Sequence, residues 1–277
     1  MSDFVQQQKS ICDINSYESW VILSPIEQSI KRKIEAVGTP LKDWDIQINY
    51  GIKTGFNDAF IITTEKRNEI LANCKTDDER QRTEELIRPI LRGRDIKRYG
   101  YVDNGLYLIN THNGIRGRIH RIRIEDYPAV KAHLDQYWDR IATRADKGDT
   151  PYNLRNCAYL EDFNKPKIVY PETTQGAYFA YDDKGLYIDK TCFMLIAKDA
   201  EYLQHTLSSR LFEFAYKRIF ASVELGEHGY QYNKHALVKL PVIKPDKPFR
   251  LDTQNIDEQM YKMYGISSEE IHEIECH

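Results

Sequence analysis

The sequence lacks the long hydrophobic run that a membrane-spanning helix requires. Its longest purely apolar stretch is the six residues 192–197, whereas a transmembrane helix needs about 20 apolar residues. Residues 1–9 contain neither an apolar core nor a cleavage site, so they do not indicate a secretory signal. We therefore expect a cytoplasmic protein that has no membrane partner.

Cysteine is scarce and scattered. The five cysteines are Cys12, Cys74, Cys157, Cys192 and Cys276. No Cys-x-x-Cys pair occurs, which disfavours zinc ribbons and thioredoxin-like redox sites. We expect reduced thiols, as is usual in the cytoplasm.

Common nucleotide-binding and catalytic motifs are also absent. Neither the phosphate-binding pattern Gly-x-x-x-x-Gly-Lys-Ser/Thr nor the dinucleotide pattern Gly-x-Gly-x-x-Gly occurs. The hydrolase elbow Gly-x-Ser-x-Gly, the zinc motif His-Glu-x-x-His and the Asp/Asn-Pro-Pro-aromatic tetrapeptide of amino-methyltransferases are missing too. We therefore predict no catalytic residue, no metal site and no cofactor bound by this chain.

Nuclease signals are weak but leave one alternative open. The chain has no Glu-x-Lys triplet and has two Asp-x-Lys triplets, at residues 95–97 and 182–184. The second falls in a predicted turn, where Asp and Lys are ordinary residues, and a metal clamp needs a further carboxylate. His112 and His120 flank a Gly-rich loop without a third ligand at a suitable spacing, so solvated histidines are favoured. A metal-dependent nuclease that uses Asp95 or Asp182 stays the alternative.

Charge is nearly balanced over the chain but not along it. Lys and Arg number 39 and Asp and Glu number 42, which gives a net charge of −3. Residues 86–123 hold nine basic residues against two aspartates, a local charge of +7, so the other 239 residues carry −10. Eight of the nine are Arg, whose planar fork suits phosphate oxygens and the acceptor edge of guanine. Composition alone leaves open a nucleic-acid interface or a solvated face paired with acids.

Within this window, residues 113–123 alternate isoleucine with Arg or His. As a strand, this segment would place its first two isoleucines on one face and Arg116, Arg118 and His120 on the other. Arg121 breaks the alternation, so we expect a bulge or the start of a helix near His120.

The spacing of apolar residues predicts separate helices and strands. Helices are expected over 25–37, 77–91, 127–145, 202–220 and, as a short pair, 256–275. Strands are expected on both sides of a Gly-rich bend in 46–62, over 167–170 and over 192–197, with hairpins at 101–107 and 181–187. Because strands and helices do not alternate regularly, the predicted class is α+β, a strand-rich domain with packed helices. We predict a helical segment over 1–45, a main domain over 46–250 and a helical tail over 251–277.

Several segments together resemble the TaqI-like C-terminal specificity domain. They are residues 44–62 with the core Gly51 to Phe60, residues 90–99, 150–159 and 165–172, the helix 202–220, and the exit 237–242. The resemblance spans roughly residues 20–275. It implies the target-recognition domain of type IIG restriction–modification enzymes and related adenine methyltransferases, whose methyltransferase and endonuclease lie N-terminal to it. This chain then resembles a specificity domain alone, either a fragment or a separately encoded subunit.

The resemblance also implies the partners. We expect sequence-specific recognition of double-stranded DNA that directs an adenine methyltransferase and endonuclease in another domain or subunit. S-adenosylmethionine and Mg²⁺ are expected only for those missing catalytic domains. Basic residues would neutralise phosphates while a few side chains read base edges.

Twelve residues are candidate DNA contacts. They are Lys53, Arg94, Lys97, Arg98, Arg116, Arg118, His120 and Arg121, and the loop residues Gln175, Tyr178, Tyr230 and Gln231. For each of the four loop residues, an ordinary surface or packing role competes with DNA contact. A further alternative is a protein-interaction module in which helix 202–220 docks a methyltransferase domain.

Overall fold

A computed structural model describes residues 23–220, 224–225, 229–245 and 251–276. The first half of the helical segment predicted over 1–45 lies outside these residues. The chain divides into two compact units. The terminal unit contains residues up to 47, residues 172–179 and residues from 197 onward, and the central unit contains residues 48–171 and 180–196. The three-part division made from the sequence stays a prediction.

The strands are short and follow in chain order. They are β1 Thr39–Pro40, β2 Ile46–Tyr50, β3 Ile61–Thr63, β4 Ile87–Leu91, β5 Ile96–Lys97, β6 Gly100–Tyr101, β7 Leu106–Ile109, β8 Lys167–Pro171, β9 Thr173–Thr174, β10 Ala180–Asp182, β11 Tyr187–Ile188, β12 Cys192–Ala197, β13 Glu224–Leu225, β14 Gly229–Gln231 and β15 Pro241–Val242.

The α-helices are also short. They are α1 Pro25–Val37, α2 Asn57–Phe60, α3 Thr64–Ala72, α4 Asp77–Leu86, α5 Pro128–Asp135, α6 Trp138–Thr143, α7 Ala200–Ser208, α8 Arg210–Phe214, α9 Lys234–Leu237, α10 Ile256–Met263 and α11 Ser268–Cys276. This mixture confirms the predicted α+β class. Across the described ranges, we find no helix with both the length and the apolar character needed to cross a bilayer.

The central unit is built on two four-stranded sheets. The first has the order β10-β8-β12-β2, and β8 pairs antiparallel with both β10 and β12. The second has the order β11-β4-β7-β3, in which β7 is antiparallel to β3 and β4 while β11 joins β4 in parallel. Every residue of β8 is buried, as expected for a strand covered on both faces.

One ion pair lies inside the central unit. Lys167 Nζ lies 2.5 Å from Asp182 Oδ2, and both side chains are fully buried. Lys167 also donates to the carbonyl of Phe163, and Asp182 accepts the backbone N–H groups of Lys184 and Leu186. Burial lowers the pKa of Lys167, against the opposing effect of Asp182. Asp182, one of the two candidate nuclease carboxylates, therefore stabilises a turn of the backbone.

The terminal unit is mainly helical. Helix α1 begins at Ser24 with a reciprocal capping box to Glu27, which confirms the helix predicted over 25–37. Helix α11 is tied to α1 through the buried Glu270, which accepts hydrogen bonds from Lys33 Nζ at 2.6 Å and Ser29 Oγ at 2.7 Å. Burial would raise the pKa of Glu270, but these bonds, together with one from the N–H of Ser267 at 2.7 Å, outweigh burial and hold the pKa below its ordinary value.

The two predicted hairpins are wrong. Gly105 and Gly185 do adopt positive φ angles of 62° and 74°, as turn glycines do. The strands beside them nevertheless find other partners. Strand β6 pairs with β5, β7 with β4 and β3, β10 with β8, and β11 with β4.

Three of the predicted helices are interrupted. Helix α4 ends at Leu86, and residues 87–91 form β4. The helix predicted over 127–145 is two helices, α5 and α6. The helix predicted over 202–220 breaks at Ser209, whose hydroxyl caps α8 by accepting from the N–H of Phe212, and its last six residues form a π-helical turn. Most residues of the segment 202–220 are buried, so the chain itself covers the apolar face of that segment.

Candidate nucleic-acid interface

Residues 113–123, here called the basic loop, form a tight turn in the central unit. Ile115 and Ile119 exchange both backbone hydrogen bonds at 2.9 Å, so the three residues between them reverse the chain. Gly114 and Gly117 have φ angles of 73° and 76°, a region that favours glycine. The segment is therefore a chain reversal and not one continuous extended strand.

The base of the basic loop is fixed by Asn153. This side chain is only 1% exposed. Its Nδ2 donates to the carbonyl of Ile122 at 2.9 Å, and its Oδ1 accepts the hydroxyl of Thr150 at 2.7 Å. Since buried amides with both ends bonded resist movement, the second half of the loop is held in one position.

The other end of the loop is held by a reciprocal pair. Asn113 Nδ2 donates to Asp149 Oδ1 at 3.0 Å, and the N–H of Asp149 donates to Asn113 Oδ1 at 2.9 Å. Gly148 makes this approach possible, because a Cβ there would lie 2.6 Å from Asn113 Oδ1. The half-buried His112 adds an acceptor for the N–H of Gly114 at 3.2 Å. Burial lowers the pKa of His112 and so favours the neutral ring that this acceptor requires.

A buried arginine supports the segment beneath the loop. Arg144 donates from Nε to the carbonyl of Asp146 and from Nη2 to that of Asn153 at 2.6 Å, and Nη1 reaches the carbonyls of Ile141 and Pro151. Burial lowers its pKa to about 10, so it stays charged at neutral pH. Arg144 and Asn153 are structural parts of this site that the sequence did not identify.

The cations of the basic loop face solvent. Arg116 and His120 are exposed, and no described residue forms an ion pair with Arg116. Arg118 pairs with Glu161, and Arg121 pairs with Asp149 at 3.2 Å. Surface pairs of this kind contribute about 0–1 kcal/mol, so a phosphate can displace the carboxylates.

Lys53 lies in a second loop that packs on the same support. Its neighbour Ile52 donates its N–H to the carbonyl of Ile188 at 2.8 Å. Gly55 has a φ of 71°, and a Cβ there would lie 2.8 Å from the side chain of Arg144. The structure therefore brings the exposed Lys53 and the basic loop onto one supporting segment.

Arg94, Lys97 and Arg98 belong to a separate element. Strands β5 and β6 form a hairpin, so that Arg98 and Tyr99 make its two-residue turn. Tyr99 has a φ of 65°, the one positive φ of a non-glycine residue in the described ranges. Arg94 precedes the hairpin, its side chain is 72% exposed, and its carbonyl accepts Lys97 Nζ at 2.7 Å.

An open cavity of about 410 Å³ lies beside this hairpin. Its lining residues are Arg94, Asp95, Lys97, Val102, Asn104 and Leu106. Asp95 is only 2% exposed. Its carboxylate accepts the N–H of Arg92 at 2.8 Å and Asn104 Nδ2 at 2.7 Å. The second candidate nuclease carboxylate is thus bonded to the chain's own donors, and the described residues contain no group of three or more His, Cys, Asp and Glu arranged to hold a metal ion.

The four remaining candidates lie in the terminal unit. Gln175 is exposed and Tyr178 is half-buried. Gln231 donates from Nε2 to Glu172 at 3.1 Å. Tyr230 is 3% exposed and packs among aromatic rings, so it is a core residue in this structure.

Both the sequence and the fold of this chain resemble those of known proteins. A sequence profile of the TaqI-like C-terminal specificity domain matches residues 88–242, more than half of the chain. The type IIG restriction endonuclease BpuSI superposes with a TM-score of 0.50 at 12% identity, over 88% of this chain and 28% of that one. The type IIL restriction–modification enzyme MmeI, solved in complex with DNA, gives a TM-score of 0.49 at 14% identity, over 82% of this chain and 28% of that one. The chain thus matches little more than a quarter of either enzyme. On the profile match, the chain belongs to the family of TaqI-like C-terminal specificity domains.

Proposed function

We propose that this chain is the sequence-specific double-stranded DNA recognition module of a restriction–modification enzyme. It directs an adenine methyltransferase and an endonuclease carried by another domain or subunit. The observation that carries the proposal is the basic loop, an exposed turn of cations held rigidly by buried hydrogen bonds, in a chain of the specificity-domain family.

The basic loop suits the phosphate backbone. Arg116, Arg118 and Arg121 are donors only, and each keeps an exposed guanidinium. Arg bonds to phosphate and to carboxylate are both charge-assisted, and exposed Arg–carboxylate pairs contribute only about 0–1 kcal/mol, so phosphates can replace the carboxylates of Glu161 and Asp149 at little cost. Because the loop is fixed before binding, less ordering entropy opposes the complex.

The catalytic parts belong to the rest of the proposed enzyme. BpuSI is a type IIG restriction endonuclease in which the matching fold occupies 28% of the chain. This proportion supports a recognition module that acts beside larger catalytic domains. S-adenosylmethionine and Mg²⁺ would bind those domains, and a methyltransferase of this kind reaches its adenine by extruding it from the duplex.

The salt dependence of duplex binding tests the proposal. The affinity of the chain for a duplex is measured by fluorescence anisotropy between about 50 and 200 mM salt. Each Arg–phosphate contact contributes a slope of about −0.9 in log affinity against log salt, so the double variant Arg116→Ala/Arg118→Ala should bind more weakly with a slope shallower by about two.

A matched control is Arg80→Ala on α4, an exposed Arg on a helix with five acidic residues. This variant should keep the affinity and slope of the wild type. Absence of duplex binding at low salt, or equal losses in the loop variant and the control, would overturn the proposal.

A further inference from the structure

We propose that Arg94 and Asn104 together read one G·C base pair through the major groove. This inference rests on the DNA-recognition function proposed above. In this proposal, residues at the cavity beside the β5–β6 hairpin discriminate between base pairs, and the basic loop neutralises phosphates.

The buried carboxylate of Asp95 orients the arginine. Arg94 Nε lies 3.9 Å from Asp95 Oδ1, while the Arg94 side chain is 72% exposed. The Nε edge of the guanidinium therefore faces the protein, and its two terminal amino groups are left for an outside partner. Lys97 Nζ holds the carbonyl of Arg94 at 2.7 Å, which restrains the backbone beneath it.

The same carboxylate also orients the asparagine. Asp95 Oδ1 accepts a hydrogen bond from Asn104 at 2.7 Å, and a carboxylate can only accept, so the amino end of the amide points to Asp95. The carbonyl end of the exposed Asn104 is then available to accept from a ligand. Asp95 thus places the two terminal amino groups of Arg94, which are donors, beside the single acceptor oxygen of Asn104.

This donor and acceptor pattern matches one base pair. In the major groove, guanine presents the acceptors N7 and O6, and its partner cytosine presents the N4 amino donor. Arg reads the two guanine acceptors as a fork, and a side-chain oxygen accepts from cytosine N4. Reading adenine with asparagine needs both ends of the amide. Because the amino end of Asn104 already bonds Asp95, the pattern favours G·C over A·T.

The cavity supplies the space for a base edge. Its volume of about 410 Å³ is open to solvent, and Val102, which is 49% exposed, forms an apolar wall with Leu106.

Selection from a randomised duplex pool tests the assignment in the whole chain. The wild type should enrich a short motif that contains an invariant G·C pair. Arg94→Lys keeps the charge but loses the fork, so the preference for G·C at one position should fall about 10- to 100-fold. Asn104→Ala should relax the same position. The matched control Arg80→Lys on α4 should leave the motif unchanged, and thermal unfolding should show that the exposed Arg94→Lys substitution preserves the fold.

Each outcome separates the two proposals. A wild-type motif that Arg94→Lys leaves intact, or that it weakens equally at every position, overturns the base-pair assignment and spares the recognition function. A wild-type motif without a G·C pair also overturns the base-pair assignment and leaves the recognition function standing. A wild type that enriches no motif overturns the recognition function and the assignment with it.

Discussion

The position of the basic loop should depend on the buried side chain of Asn153. Asn153→Ala removes the 2.9 Å bond to the carbonyl of Ile122 and the 2.7 Å bond from the hydroxyl of Thr150. Each bond contributes about 0.5–1.5 kcal/mol, and a buried carbonyl left without a donor costs about 1–3 kcal/mol. We therefore expect the free energy of unfolding to fall by about 2–4 kcal/mol.

Two measurements check this expectation. Urea unfolding gives the loss of stability, and at about 2–4 °C per kcal/mol the Tm should fall by roughly 5–15 °C. Hydrogen exchange reports the loop itself, because the amides of Ile115, Ile119 and Ile122 all donate within or at the base of the loop. Their exchange should accelerate more than that of the buried β8 strand. Duplex affinity should fall while the salt slope keeps its value, since no charge is removed.

The control is Asn73→Ala, at an exposed asparagine that ends α3. It should change stability by no more than about 0.5 kcal/mol. If Asn153→Ala also stays within that margin and the loop amides exchange at the wild-type rate, the loop is not held by Asn153 and the reasoning is refuted.

Two further predictions concern the turn and the terminal unit. Gly117→Ala should lower the free energy of unfolding by about 1–2 kcal/mol. Nothing lies near the added Cβ, so this loss comes from the φ of 76° alone. Gly114→Ala should lower the free energy of unfolding by about 1–3 kcal/mol more than Gly117→Ala, because its Cβ would lie 2.3 Å from the carbonyl oxygen of Ile119. Equal losses of stability in urea unfolding would contradict the turn geometry. Glu270→Gln should destabilise the protein by about 1–3 kcal/mol at neutral pH. Because the folded pKa of Glu270 lies below the ordinary value of 4.5, its stabilisation is present above that pH and is lost as the pH falls through the folded value. The gap between wild type and variant should therefore shrink in acid, and a gap independent of pH would argue against the ionised carboxylate.

Local signals in the sequence predict local structure well. Ser24 and Pro25 identify the start of α1, and the apolar run 192–197 coincides with β12. These elements are determined by capping chemistry and by hydrophobic periodicity, both of which are readable within a few residues.

Long-range pairing is what the sequence does not reveal. Gly105 and Gly185 do form turns, but β6 pairs with its neighbour β5, while β7 and β11 pair with β3 and β4, far along the chain. A local pattern cannot show which distant backbone supplies the competing hydrogen bonds.

The candidate site also combines features that the sequence reveals with features that it does not reveal. The charge window locates the basic loop, because an excess of Arg is visible in composition alone. The residues that give the loop its shape are Arg144 and Asn153, and a buried polar residue looks like a surface residue in the sequence. Their role follows only from the backbone carbonyls that converge on them. The aspartate pattern at Asp95 and Asp182 was visible, but the donors that bond both carboxylates were not.

The specificity ratio of the purified chain tests the central claim most directly. The affinity for the duplex motif enriched from a random pool is compared, at physiological salt, with that for a scrambled duplex of the same composition. The one bidentate contact proposed for Arg94, at about 1–3 kcal/mol, predicts a preference of about 10- to 100-fold from that contact alone. Equal affinities for the two duplexes would contradict sequence-specific recognition by this chain.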